Sequence, residues 1–459
     1  MLALYSSPDL ILSHGDRGLL AFTQCSFCTF VGRLGPASLF LAFKDVRSTM
    51  STVQVREEDL LEMSTVLKSS AVLDVTEQVQ SLIASLESTT LDIAVVGESG
   101  AGKSTFVNAI RGVGDDDIGA AQTGVTETTT VPTAYLHPNL PTVRLWDLPG
   151  IGTSNFQADQ YLDLVNFQRY DFFIIVASER FRENHARLAR SIRATKKHFY
   201  FVRTKVDLDL NACSRRRKRQ FTEEKVLNEI LADCTQCLEK EGEHDPKVFL
   251  LSSFELHKYD FQKLQNTLEQ DLDGQKRHVL LLSFPNITEE IIKKKKQSLQ
   301  REVWKKAILA FFISSLPSKP VHFNMPMVMK TLASYKQTLG LDDESLGSLA
   351  AKVNKSLHSL RNEITSPVGR GMNKDSVKAA LSMAAVAGHT AANLVEKRVP
   401  VIGNLVAGAI SFVAVYILLI TSLENLAKDA QKVLARALCS EEEEKVEAYQ
   451  RLDPGFLYD

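Results

Sequence analysis

One eight-residue stretch, GESGAGKS at 97–104, constrains this chain more than any other. The residues before it, IAVV at 93–96, read as a buried strand, and STFVNAI at 104–110 begins an apolar periodicity that suits a helix. Strand, glycine loop and helix in that order are what a phosphate-binding loop requires. Its glycines let the backbone curl so that N–H groups face phosphate oxygens, a lysine reaches the β and γ phosphates, and a hydroxyl is placed for Mg²⁺. Gly97, Glu98, Gly100, Gly102, Lys103, Ser104 and Thr105 are therefore the candidate cradle, with Ser104 the first candidate metal ligand.

The elements that follow narrow the nucleotide. A polar run from Gly112 to Pro138 is too rich in Gly and Thr for a core element and lies where a mobile segment would offer a hydroxyl to Mg²⁺ and the γ phosphate. By spacing, Thr123, Thr126, Thr128, Thr129 and Thr130 all qualify. VRLWDLPG at 143–150 reads as a strand ending in D-x-x-G, with Asp147 able to hold Mg²⁺ through water and the Gly150 N–H able to face the γ phosphate. DFFIIVAS at 171–178 is a continuous apolar run, as expected of a strand buried on both faces. FYFVRTKVDLD at 199–209 carries T-K-x-D through Thr204, Lys205 and Asp207. The Asp207 carboxylate can accept from guanine N1–H and the 2-amino group together, a donor pair adenine lacks, so the reading favours GTP and GDP over adenine nucleotides. Ser252 and Ser253, at the end of an expected last strand, occupy the place of a backbone contact to the guanine edge. The residue after D-x-x-G is Ile151, which cannot orient water. Glu127 is the polar candidate for that task, although its residue context alone reads as a solvent-facing charge.

Composition bounds the rest. At 459 residues the chain is long enough for two or three domains. Lys plus Arg 54 against Asp plus Glu 55 gives a net charge of -1, so bulk electrostatics recruit neither nucleic acid nor an anionic membrane. Six cysteines at this length make no disulfide framework, and the C-x-x-C pairs Cys25/Cys28 and Cys234/Cys237 read as coincidence. Residues 1–54 form an atypical leader, with no basic residue before Arg17 and Leu2 where a myristoyl acceptor would need Gly. Residues 55–89 are periodic and helical, and 90–285 hold the α/β nucleotide domain. The basic run Arg215–Arg219 abuts an acidic helical stretch and reads as a solvated loop, with a lipid-headgroup contact as the other option.

From Ile287 the strands stop, and 286–450 reads as helices followed by a tail at 451–459. Thr288 is a candidate cap with Glu289 and Glu290 in the first turn of a long helix. VPVIGNLVAGAISFVAVYILLITSL at 399–423 has no charge over 25 residues and is long enough to span a bilayer. Its Pro, Gly and small residues, without a second clear span, favour a packed bundle helix instead. The expected architecture is a Ras-like P-loop GTPase domain with a mostly parallel sheet, plus an all-α domain built from segments on both sides of it.

GESGAGKST, TGVTETT, LWDLPGIGT, YDFFIIV, FYFVRTKVD and the late VPVIGNLVAGAISF together resemble the immunity-related (interferon-inducible, p47-type) GTPases, most nearly the subgroup called cinema or interferon-inducible GTPase 5. The resemblance covers roughly residues 55–440. It implies GTP and GDP binding with Mg²⁺, dimers formed through GTPase domains, and a cytoplasmic protein in peripheral contact with intracellular membranes, including pathogen-holding vacuoles. The family's T-G-x-x-E pattern falls on Thr123, Gly124 and Glu127, which implies that Glu127 acts in activation across the dimer and makes Thr129 the Mg²⁺ partner. Lys103 places the chain with the members that keep the P-loop lysine. The cinema-like subgroup is not clearly tied to immunity, so the resemblance carries the enzyme class further than a defence role. The expected mechanism is self-activated hydrolysis with Lys103, Glu127 and Thr129 as catalytic residues; the alternative is a GTP-dependent scaffold with negligible turnover.

Overall fold

The structure is a computed structural model that describes residues 81, 84, 85, 88–124, 129–151, 158–216, 221–314, 324–385 and 403–439. The chain divides into two compact units. One comprises Met1–Ile83, Val303–Val328 and Lys374–Leu418, and its described residues are almost entirely helical. The other comprises Ala84–Glu302, Met329–Asn373 and Leu419–Asp459 and contains every strand among the described residues.

A six-stranded sheet of order β2-β3-β1-β4-β5-β6 forms the centre of the second unit. Its strands are β1 (Leu91–Gly97), β2 (Thr133–His137), β3 (Leu140–Asp147), β4 (Phe172–Ala177), β5 (His198–Arg203) and β6 (Val248–Leu250). All pairings are parallel except β2 with β3. β1 and β4 are buried at every position because helices cover both faces, which is why they read as unbroken apolar runs. Alternate residues of β1 then serve different layers: Ile93 and Val95 pack with Phe106 and Ile110, whereas Ala94 and Val96 pack with Trp146 and Leu188.

The helix after the loop is α1 (Lys103–Arg111), which buries Phe106, Val107 and Ile110 against the first layer and stops at Gly112 in the left-handed conformation. α2 (Ala158–Leu164), α3 (Glu183–Ala194), α4 (Val206–Arg216), α5 (Glu223–Lys240), α6 (Phe261–Asp271) and α7 (Gly274–Ser283) complete the α/β part. The expectation that 112–138 holds no core element needs correction. Thr133–His137 forms the edge strand β2, alternately half-buried and exposed until His137. A strand of five residues with one wet face carries little apolar signal.

The later helices are α8 (Glu289–Ser314), α9 (Met325–Thr338), α10 (Asp343–Lys352), α11 (Leu357–Asn362), α12 (Pro367–Gly371) and α13 (Gly403–Leu438), with a further helical stretch at 374–385. Thr288 caps α8 as its sequence suggested: its Oγ1 accepts from the Ile291 N–H at 3.3 Å. α8 and α13 contribute residues to both units. By length and composition Ile410–Leu438 could cross a membrane, but 72% of its most apolar window is buried, which suits a helix packed within protein. The leader, most of 55–89, Arg217–Gln220, residues 386–402 and the tail lie outside the described residues.

Candidate nucleotide site

The site lies beyond the carboxyl ends of β1, β3, β4, β5 and β6, where an open α/β sheet presents its loops. Gly97 closes β1 against the neighbouring strand so tightly that a Cβ there would meet the Val176 carbonyl oxygen at 2.0 Å. Gly100 and Gly102 then take φ of 77° and 87°, the left-handed region that glycine adopts without a Cβ penalty. Lys103 is buried, and its Nζ donates to the Glu98 carbonyl oxygen at 3.1 Å, so the side chain lies along the loop. Ser104 and Thr105 begin the first turn of α1 and are half-buried.

Asp147, the last residue of β3, is fully buried beneath this loop. Its Oδ2 accepts from Ser104 Oγ at 2.6 Å and from Thr129 Oγ1 at 2.9 Å. Its Oδ1 is buried with no hydrogen-bond partner. Burial pushes the carboxyl above its ordinary range, against the pull of Ser104, Lys103 and Thr129. An unpartnered buried carboxylate oxygen beside two hydroxyls is a hard-oxygen set, and such a set suits Mg²⁺ or its coordinated water. Among the described threonines of this run, Thr129 is the one whose hydroxyl reaches Asp147. Thr123 and Thr130 are exposed, whereas Thr126, Glu127 and Thr128 lie outside the described residues.

The segment after Asp147 is threaded against the loop. Ile151 N donates to the Gly97 carbonyl oxygen at 3.0 Å and pairs with Glu98 in an isolated parallel bridge. A Cβ on Gly150 would sit 2.9 Å from Ser99 N and 3.0 Å from Ser99 Cα. Ile151 is wholly buried in the second core layer.

On the other flank, Thr204 Oγ1 donates to the Ala101 carbonyl oxygen at 2.9 Å, and Lys205 Nζ donates to the Gly100 carbonyl oxygen at 2.9 Å. Lys205 has φ 58°, an uncommon conformation for a residue with a side chain. Asp207 is half-buried in the first turn of α4. Ser252 is buried with an unpartnered Oγ, and Ser253 is half-buried beside it in the loop after β6.

Four structural supports had no motif to announce them. Asn108 on α1 clasps Ala121 from both sides, donating to its carbonyl oxygen at 2.9 Å and accepting from its N–H at 2.7 Å. Arg111 donates to the carbonyl oxygens of Leu136 and Gly119, each at 3.0 Å, so α1 anchors both the polar loop and β2. Arg182 pairs with Glu98 at 3.1 Å, and Arg203 pairs with Asp209 at 2.6 Å. Helical spacing could have flagged Asn108 and Arg111 as inward-facing polar residues; nothing in the sequence joins Arg182 to Glu98.

The chain has relatives along most of this framework. The family model for interferon-inducible GTPase matches residues 56–437. The interferon-inducible GTPase 5 of Bos taurus is 42% identical over 395 residues, covering 86% of this chain and 85% of the relative. Its counterpart in Rattus norvegicus is 42% identical over 394 residues, covering 85% of each. The interferon-gamma-inducible GTPase 10 of Mus musculus is 38% identical over 333 residues, covering 72% of this chain and 79% of the relative. A match that runs from before the phosphate loop into α13, with the loop, Asp147 and Asp207 in their expected order, shows that this chain belongs to the interferon-inducible GTPase family and is a GTP-hydrolysing enzyme of that class.

Proposed function

We propose that the protein binds GTP and GDP at the 97–105 loop with Mg²⁺, hydrolyses GTP only slowly as a single copy, and is activated when two GTPase domains associate. The observation that carries this reading is Ile151: it is fully buried and fixed to Gly97 and Glu98, so the position after D-x-x-G offers no group to orient water. The help comes from elsewhere, and Glu127 of a second copy is the residue we assign to it.

Loop N–H groups and Lys103 hold the β and γ phosphate oxygens and favour charge as it develops there. Ser104, Thr129 and Asp147 would hold Mg²⁺, the first two as ligands and Asp147 through water. The ion would add charge neutralisation at the phosphates. Thr129 and Gly150 face the third phosphate, so both contacts are made with GTP and lost with GDP. Thr204, Lys205, Asp207, Ser252 and Ser253 form the guanine pocket, with Asp207 accepting from N1–H and the 2-amino group.

Phosphate release measured over a wide range of protein concentration tests this. Specific activity should rise with concentration in the parent protein and stay low and flat in Glu127→Ala. Appreciable activity that is independent of concentration would refute activation in trans. We also assign the protein to the cytoplasm with peripheral contact to intracellular membranes, and vesicle sedimentation with GDP or GTP checks that contact. We further assign the protein a role in cell-autonomous defence, in keeping with relatives named for induction by interferon; failure of interferon to induce the transcript would remove that role and leave the enzymology intact.

A further inference from the structure

We infer that Arg203 and Asp209 form a clamp that positions Asp207 and so determines how strongly the site selects guanine. The inference rests on the proposed base-reading role of Asp207 and adds two residues that do not touch the base.

Thr204 and Lys205 join the end of β5 to α4, Asp207 lies in the first turn of α4, and the clamp closes across them from Arg203 to Asp209. Arg203 is the last residue of β5, and only 6% of its side chain is exposed. Its Nη1 donates to the Thr204 carbonyl oxygen at 2.7 Å, and its Nη2 donates to Asp209 Oδ2 at 2.6 Å. One guanidinium therefore ties the strand end to the helix turn, with the base-reading residue in the span between them. The neighbouring contacts leave that span little freedom on its strand side: Thr204 N donates to the Ala177 carbonyl oxygen at 2.8 Å, and Leu251 N donates to the Arg203 carbonyl oxygen at 2.8 Å. On the helix side the Lys205 carbonyl oxygen accepts from Leu208 N at 3.1 Å and from Asp209 N at 3.4 Å, and Lys205 occupies the left-handed region at φ 58°. A non-glycine residue stays in that region when its surroundings over-determine it. Beside the Lys205 Nζ contact to the Gly100 carbonyl oxygen at 2.9 Å, the Arg203–Asp209 pair adds to that determination, because a planar guanidinium fixes direction as well as distance.

Selectivity follows from the geometry that Asp207 needs. Two parallel hydrogen bonds to guanine require the carboxylate to lie in the plane of the base, whereas hypoxanthine lacks the 2-amino group and can use only one of them. A carboxylate freed to tilt loses the paired interaction with guanine and less of the single one with hypoxanthine. Loosening the clamp should therefore weaken GDP more than inosine diphosphate. Damage to the fold or to the phosphate loop alone would weaken both equally.

The test is displacement of a fluorescent GDP analogue by GDP and by inosine diphosphate, using the full chain. Asp209→Ala and Arg203→Lys are the variants, since Arg203→Ala would leave a void in a buried position. Thermal melting establishes that each is folded. Each should bind GDP about tenfold more weakly, with a clearly smaller loss for inosine diphosphate. The double variant should be little worse than either single one, because the two residues act as a unit. If both folded variants keep the parent ratio of the two affinities while Asp207→Ala abolishes it, Asp207 reads the base and the clamp proposal is overturned. If Asp207→Ala leaves the ratio unchanged, the base-reading assignment fails and the clamp proposal falls with it.

Discussion

Replacing Lys295 with methionine should make the protein more stable. Lys295 lies on α8, and complete burial lowers its ammonium from the ordinary 10.5 to about 7. Its Nζ donates to the Thr338 carbonyl oxygen at 3.1 Å. That carbonyl also receives Asn286 Nδ2 at 3.1 Å, so it keeps a donor when the lysine is removed. A base whose folded value lies below its unfolded value is protonated more readily in the unfolded chain. Stability therefore rises with pH from about 7 to about 10.5 and levels off beyond, and below about 7 the protein carries the whole penalty. The difference of roughly 3.5 units corresponds to about 4–5 kcal/mol. Subtracting about 1 kcal/mol for the lost hydrogen bond, Lys295→Met should gain about 3 kcal/mol at pH 7. Urea unfolding at a series of pH values reads this directly. Between pH 8 and 10 the parent should gain on the variant by about 1.4 kcal/mol per pH unit. Parallel curves over that interval would show Lys295 charged in the folded protein and refute the reasoning.

Asp147→Asn should separate stability from activity. It removes a buried carboxyl that burial already disfavours as an anion, so melting temperature should hold or rise, while GTP hydrolysis should fall by at least about a hundredfold in a phosphate-release assay. Gly150→Ala should disturb the phosphate loop rather than the core, since its Cβ would meet Ser99 backbone at 2.9 Å and 3.0 Å. Overpacking of this kind costs about 1–3 kcal/mol, which should appear as weaker binding of a GTP analogue in calorimetry. Asp429→Ala should destabilise by about 2–3 kcal/mol in urea unfolding. Asp429 is buried on α13 and accepts from Ser366 N at 2.9 Å and from Thr365 N and Oγ1 at 3.2 and 3.0 Å. Burial alone would raise its carboxyl, but the donors from Ser366 and Thr365 together hold it below the usual value of 3.8. That stability is present above about pH 3.8 and is lost as pH falls through the lower folded value, so the variant and parent curves should converge in acid.

What the sequence disclosed were features written locally. Buried parallel strands are apolar throughout, so β1 and β4 could be read within a residue or two of their ends. A loop that must curl around phosphate needs its glycines at fixed spacing, so 97–104 announced itself. What stayed hidden depends on residues far apart in the chain. β2 exists because β3 lies beside it, and its own alternation is too short to register. Asn108 clasping Ala121 and Arg182 meeting Glu98 are tertiary facts. The sequence left five threonines as equals near the γ phosphate, and the resemblance favoured Thr129; the Asp147 hydrogen bond independently gives it a place beside Ser104.

The same short strand connects the site to a helix of its own unit through hydrogen bonds. Thr129, on Asp147, lies four residues before β2, and β2 ends at His137. His137 is buried, and burial with the nearby Lys295 and Arg111 charges lowers its imidazole to about 3, so it stays neutral. Its Nδ1 accepts from Asn139 N at 3.2 Å. Asn139 in turn accepts from Gln337 Nε2 at 2.9 Å and donates to the Gln337 carbonyl oxygen at 3.4 Å, one residue before the carbonyl that holds Lys295. From the candidate metal position to α9 there is thus one edge strand and one turn, hydrogen-bonded at both ends. Coupling also requires an element with two arrangements. Contact of Thr129 with the third phosphate, made with GTP and lost with GDP, is what the proposed function places at the near end. Lys295 and His137 occupy the far end, where burial disfavours the charged form of each.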